Sequence, residues 1–419
     1  MNVLVVGGGG REHAIVKKLH ESSRVDKIYC APGNAGISEL AECVQIKATD
    51  LDGILNFVES HPDIAMTVVA PDDPLAMGLV NRLEESGHRA FGPRSEAAII
   101  ESSKAFSKDL MKKYGIPTAA YECFDSYDEA AEYVRSAQYP LVVKADGLAL
   151  GKGVVICEDC AAALHALDDI MNKRQFGASG NRVVVEEFLT GREVSILAFT
   201  DGKTVIPMIS SQDHKRALDH DRGLNTGGMG TFAPSKFYTP ELAAYCEGHI
   251  FRPTVDAMNR EGRTFKGVLY FGLMITDSGV KVLEYNARFG DPETQVVLPL
   301  LKTDLLDVFD ACIDGTLDRL TLEWEDNACV CVILASGGYP QSYPKGLPIT
   351  IGALEDGVFL YHAGTVFDVD GRLVTSGGRV LGVTAKGKSI AEAREKAYRN
   401  VTHISFEGMH YRTDIGIKL

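Results

Sequence analysis

Between Asn2 and Phe91, short β-branched runs alternate with helical patterns, and this alternation restricts the opening of the chain to a parallel sheet covered by helices. Residues 3–6, 27–30 and 65–70 read as strands, and segments starting near Arg11 and near Asp52 read as helices. Four glycines, Gly7 to Gly10, join the first strand to the first helix. Glu12 stands where a dinucleotide fingerprint needs its third glycine, and the second strand runs into Pro32-Gly33-Asn34 with no acidic residue to close it. A NAD site is therefore not expected. What remains is a glycine-rich turn whose free N–H groups suit a small phosphate, or a tight turn with no ligand.

At 419 residues the chain is long enough for about two to four domains of ordinary size. The breaker Gly115-Ile116-Pro117 marks a boundary, after which helices over 128–137 and 161–171 alternate with strands over 141–144, 154–157 and 183–187. A mixed region follows to about Glu325. The last part opens on an apolar strand over 329–334, has Thr375-Ser376-Gly377-Gly378 among hairpin-like pieces, and carries a helix with Ile390, Ala393, Ala397, Val401 and Ile404 on one face.

Forty-three basic against fifty-seven acidic side chains give a net charge of −14, which argues against a nucleic-acid partner. The longest clean apolar stretch, residues 328–335, falls far short of the ~20 needed for a membrane helix. Nothing at the N-terminus reads as a secretory signal, and nine cysteines fit reduced thiols, so a cytoplasmic location is expected. The pair Cys157 and Cys160 lacks the further ligands of a zinc site and reads as structural.

Four segments are candidates for carrying chemistry. Lys144-Ala145-Asp146-Gly147-Leu148-Ala149-Leu150-Gly151-Lys152-Gly153 lies between two strands, which rules out a P-loop, since a P-loop opens a helix. Glycines there make a ribbon that can close over a phosphate chain while Lys144 and Lys152 neutralise it. The strand over 183–187 ends in Glu186 and Glu187, where backbone groups and a carboxylate can meet an adenine edge; a solvated strand end is the plainer alternative. In Glu284-Tyr285-Asn286-Ala287-Arg288, period two places Glu284, Asn286 and Arg288 on one face. That face sets two hard oxygen ligands beside a phosphate-binding cation, as magnesium between protein and nucleotide requires. The polar, glycine-rich stretch from Gln212 through Asn225-Thr226-Gly227-Gly228-Met229-Gly230 reads as a binding loop or as a surface connection.

Together with Lys104, these segments resemble the ATP-grasp superfamily of carboxylate-amine ligases. Six motifs in order look like its phosphoribosylamine-glycine ligase family, also called glycinamide ribonucleotide synthetases: Gly7 to His13, Pro32 to Gly36, Asp213-His214-Lys215-Arg216, Thr226 to Gly230, Arg288-Phe289-Gly290-Asp291-Pro292-Glu293-Thr294-Gln295, and Ser376 to Val380. The resemblance spans essentially the whole chain. It implies an α/β and α+β fold: an N-terminal parallel α/β domain over 1–103, a central ATP-grasp domain over 104–120 and 190–325, a lid over 121–189, and a β-rich C-terminal domain over 326–419.

The activity it implies is ATP-dependent ligation of glycine to 5-phosphoribosylamine in purine biosynthesis, through glycyl phosphate; another ATP-grasp ligase or a carboxylase is the alternative. ATP would meet Lys104, Lys144, Gly151, Lys152 and Gly153, with Glu186, Glu187 and Leu189 at the base and Glu193 at the ribose. Magnesium or manganese would sit on Glu284 and Asn286, and Arg288, Lys144 and Asp213 would serve the reacting centre. The two small substrates would meet Gly8, Gly10, Asn34, Asp213, Lys215, Arg216, Gly228, Arg288 and Asp291. A monomer or weak homodimer is expected. Two departures stand out: the strand over 268–273 lacks an extra acidic metal ligand, and Ala70-Pro71-Asp72-Asp73 replaces the Gly-Pro-Glu common in the family.

Overall fold

The computed structural model describes residues 1–149 and 153–417. The first sheet is parallel throughout, with strands in the order Glu42–Cys43, Lys27–Pro32, Asn2–Gly7, Ile64–Val69, Ala90–Phe91. Leu4 and Val6 belong to one apolar core, Val3 and Val5 to another, so both faces are buried, as crossover helices require. Helix Lys104–Tyr114 leaves this unit and stops at Gly115, whose φ of 69° forms the left-handed cap that the breaker predicts.

An antiparallel sheet follows, in the order Tyr121–Phe124, Val183–Glu187, Leu141–Ala145, Val154–Cys157. Helices Tyr127–Ser136 and Cys160–Leu167 pack together on it around Ala130, Val134, Val143 and Leu167. The next sheet runs Val205–Pro207, Arg192–Thr200, Gly267–Thr276, Gly279–Asn286. A five-stranded antiparallel sheet, Gln212–Asp213, Gly230–Ala233, Ala328–Ala335, Arg379–Gly387, Val358–His362, is the C-terminal sheet. Among the described residues no helix is long and apolar enough to cross a membrane.

Two local expectations are corrected. Helix Ile390–Val401 ends before Ile404, which lies in the short strand Ile404–Ser405; it still packs against Ala393, Ala397 and Val401, so its place in the pattern reflects the shared core rather than the helix. The turn at Thr375 to Gly378 does not close a hairpin. Leu373–Thr375 pairs with Thr365–Phe367, whereas Arg379–Gly387 pairs with Ala328–Ala335 and Val358–His362, and the turn passes the chain from one sheet to the other.

Candidate active site

One cavity of about 1340 Å³ is lined by side chains from the first helical layer and from all three antiparallel sheets. On one side, strand Leu141–Ala145 presents Lys144, whose Nζ donates to Glu186 Oε2 at 2.9 Å and to the Leu283 carbonyl at 3.4 Å, tying two sheets together. Ser103 caps helix Lys104–Tyr114 and so fixes Lys104 at its first turn, where Nζ donates to the Gly147 carbonyl at 2.9 Å. One turn on, Lys108 also reaches Glu186 Oε2, at 2.9 Å. Burial pushes both lysines below the ordinary range, Lys108 to about 8 despite the pull of Glu186.

Strand Gly279–Asn286 crosses the floor. Tyr285 and Ala287 point into the core, and Glu284, Asn286 and Arg288 reach the cavity, as the alternation predicts. The Lys215 ammonium, 3.1 Å from Glu284, holds that carboxyl down at about 2 against burial, with Lys144 and Lys104 assisting. An ionised carboxylate and an amide oxygen two residues apart suit a hard divalent cation that keeps its remaining contacts for water and phosphate. Lys215 supplies positive charge at the same carboxylate. Burial opposes the charge on Arg288, but Glu101, Asp72 and Glu293 keep it; one Nη pairs with Glu101 at 2.8 Å, while its Nε is buried without a partner.

The other side is assembled from loops. Asp213 ends the edge strand Gln212–Asp213; burial, then repulsion from Glu293, raises its carboxyl well above the ordinary range. Glu293 accepts from Ser195 Oγ at 3.2 Å, which is 2.8 Å from the Tyr270 hydroxyl. Arg379 donates to Asp291 Oδ2 at 2.7 Å and to the carbonyls of Asp291 and Gly227, and Gln295 takes the other Asp291 oxygen at 2.6 Å.

The chain matches phosphoribosylglycinamide synthetases in three consecutive stretches: the N domain over residues 1–101, the ATP-grasp (A) domain over 102–294 and the C domain over 329–418. It belongs to the phosphoribosylglycinamide synthetase family. A phosphoribosylamine–glycine ligase of Caldanaerobacter subterraneus subsp. tengcongensis is 53% identical over 417 residues, 99% of each chain. One from Halalkalibacterium halodurans is 48% identical over 419 residues, 100% of this chain and 97% of its own. The crystal structure of phosphoribosylamine–glycine ligase from Thermotoga maritima matches with a TM-score of 0.86 at 34% identity, covering 99% of this chain and 100% of that one. The biotin carboxylase domain of Hydrogenobacter thermophilus 2-oxoglutarate carboxylase, solved with MgADP, matches at 0.76 with 16% identity, covering 98% and 91%, a likeness of fold. An ATP-grasp enzyme of this family is a ligase.

Of the residues that the sequence points to, Lys104, Lys144, Gly153, Glu186, Glu187, Leu189 and Glu193 line the cavity. So do Asp213, Lys215, Arg216, Glu284, Asn286, Arg288 and Asp291. Gly151 and Lys152 lie outside the described residues. Gly8, Gly10, Asn34 and Gly228 are not brought to the cavity wall. A Cβ on Gly8 would stand 2.4 Å from the Gly33 carbonyl, and one on Gly10 would stand 2.7 Å from Gln295 Nε2. Asn34 donates to the carbonyls of Gly8 and His362. Gly228, with φ 114°, sits against Pro292 and Asp213. The first turn is also less open to an anion than its glycines suggest, because Glu12 Oε2 already accepts from Gly9 N at 2.6 Å.

Sequence reasoning passed over Arg11, Asp72, Glu101, Lys108, Tyr270, Glu293 and Arg379, all at the cavity. Lys108 was findable, since it follows Lys104 by four residues on one helical face. Arg11, Glu293 and Arg379 lie inside motifs already singled out, and Asp72 in the departure noted above. Glu101 and Tyr270 carry no local signal.

Proposed function

We infer that this chain joins glycine to 5-phosphoribosylamine with ATP, giving glycinamide ribonucleotide, ADP and phosphate, as a cytoplasmic step of purine biosynthesis. The observation that carries this is a shared cavity: Lys104 and Lys144 line it together with Glu284, Asn286 and Arg288, in a chain that the family matches almost end to end. The carboxylase likeness, at 16% identity, lends the alternative no support beyond the fold.

Glycine's carboxylate is a poor electrophile, so it first attacks the γ-phosphate, and the glycyl phosphate formed is captured by the amine of phosphoribosylamine with loss of phosphate. Positioning and charge neutralisation do most of the work. Lys104 and Lys144 neutralise the nucleotide phosphates, and the bare Nε of Arg288 donates to the transferring group. Glu186, Glu187 and Leu189 take the base and Glu193 the ribose. Asp213, its proton affinity raised by burial and Glu293, accepts the proton that the attacking amine sheds. Lys215, Arg216 and Asp291 line the end that takes the small substrates, and the packed glycines Gly8, Gly10 and Gly228, with Asn34, shape the loops behind it. A magnesium or manganese ion bound by Glu284 and Asn286 would supply further neutralisation of phosphate charge.

The test is a coupled ADP assay with each substrate omitted in turn. ADP should form only with ATP, glycine and phosphoribosylamine together; turnover indifferent to glycine, or an AMP product, would reject the mechanism.

A further inference from the structure

Glu186 lies near the end of strand Val183–Glu187 with its side chain 3% exposed. Its two oxygens are treated unequally. Oε2 receives both Lys144 Nζ and Lys108 Nζ, each at 2.9 Å, whereas Oε1 is buried and has no hydrogen-bond partner. A buried carboxylate oxygen with no donor is costly, so a pocket that keeps one suits a ligand that brings an N–H to it.

The two lysines also differ. Lys144 stands on the strand that leads into the glycine ribbon, and its second contact, to Leu283, is long at 3.4 Å. Lys108 is 2% exposed and anchored: Nζ donates to Thr118 Oγ1 at 2.7 Å, and that hydroxyl donates to the Val282 carbonyl at 2.7 Å. If Lys144 turned to a phosphate, Glu186 would keep a counter-charge only because Lys108 remains.

We propose that Lys108 is a positioning residue for nucleotide selection: it holds the Glu186 carboxylate so that Oε1 reads the 6-amino group of adenine, and it leaves Lys144 free for the phosphates. Adenine offers an N–H donor at that edge; guanine offers a carbonyl oxygen, which would face the carboxylate lone pairs. The proposal rests on the nucleotide-binding part of the proposed function. It does not need the identity of the other two substrates.

The experiment is calorimetric binding of ADP and of GDP to the full chain, without glycine or phosphoribosylamine, for the wild type, K108M, K108R and T118V. The wild type should prefer ADP, and K108M should lower that preference roughly tenfold, the size of one hydrogen bond. K108R, which keeps the charge, should restore part of the preference. T118V loosens the anchor without removing the lysine and should lower the preference about threefold, which keeps the test open if K108M does not fold. A wild type with no preference for ADP, or folded K108M and T118V with an unchanged ADP-to-GDP ratio, would overturn the proposal. A wild type that prefers ADP yet fails the substrate-omission assay would instead sink the ligase reading alone.

Discussion

The two ends of the cavity are built in opposite ways. At the nucleotide end, Lys144, Glu186, Glu284 and Asn286 stand on strands whose alternate residues are locked into cores, and two polar atoms there, Glu186 Oε1 and Arg288 Nε, are left without partners. At the other end Arg379 bonds Asp291 and Gly227, and in the loops behind it Gln295 bonds Asp291, Glu12 bonds Gly9 and Asn34 bonds Gly8; the atoms left bare there, Gln212 Oε1, His214 Nε2 and Gln295 Oε1, belong to neutral side chains. The lesson is that the first end leaves charged side chains with unspent hydrogen-bonding capacity for a ligand, whereas the second uses its charged groups to hold its own shape. Substitutions should therefore separate into those that cost function and those that cost stability.

Replacing Glu284 with Gln should give the largest effect, a roughly 10³-fold loss of metal-dependent turnover in the ADP assay. Its unfolding free energy should change by no more than about 1 kcal/mol, because the Lys215 pair is partly exposed. The opposite pattern is expected of Arg379→Met, which strands Asp291 and two carbonyls: a stability loss of about 2 kcal/mol by chemical denaturation, with the Michaelis constants of glycine and phosphoribosylamine raised and that of ATP unchanged. Equal effects of the two substitutions on stability would erase the contrast.

This contrast also explains how much was legible in the sequence. Glu284, Asn286 and Arg288 could be placed together because a strand's period is fixed by its backbone, and Lys144 because glycines between two strands leave few conformations. The first sheet was legible for the same reason. Glu101 was not: its contact with Arg288 joins residues far apart in the chain, and nothing in its own helix marks it. Asn34 looked like a ligand group, but a side-chain amide serves equally well to tie one loop to another, and here it bonds two backbone carbonyls.

Smaller effects sharpen the nucleotide end. Lys144→Ala should raise the Michaelis constant for ATP about tenfold, while Lys108 still neutralises Glu186. Lys108 itself faces Glu186, Lys144, Cys123 and the Tyr121 ring, and burial lowers its amine to about 8. Its charge, and hence its hold on Glu186, is present below that value and lost above it. ADP affinity of the free chain should accordingly fall a few-fold between about pH 7 and about pH 9. Lys108→Arg, charged throughout, should flatten that profile.

The central claim is that the cavity brings glycine's carboxylate to the terminal phosphate of ATP. Heavy-oxygen-labelled glycine tests it most directly: during turnover with ATP and phosphoribosylamine, one carboxylate oxygen should appear in the released phosphate, read by mass spectrometry. Phosphate that carries no label while glycinamide ribonucleotide accumulates would contradict the account.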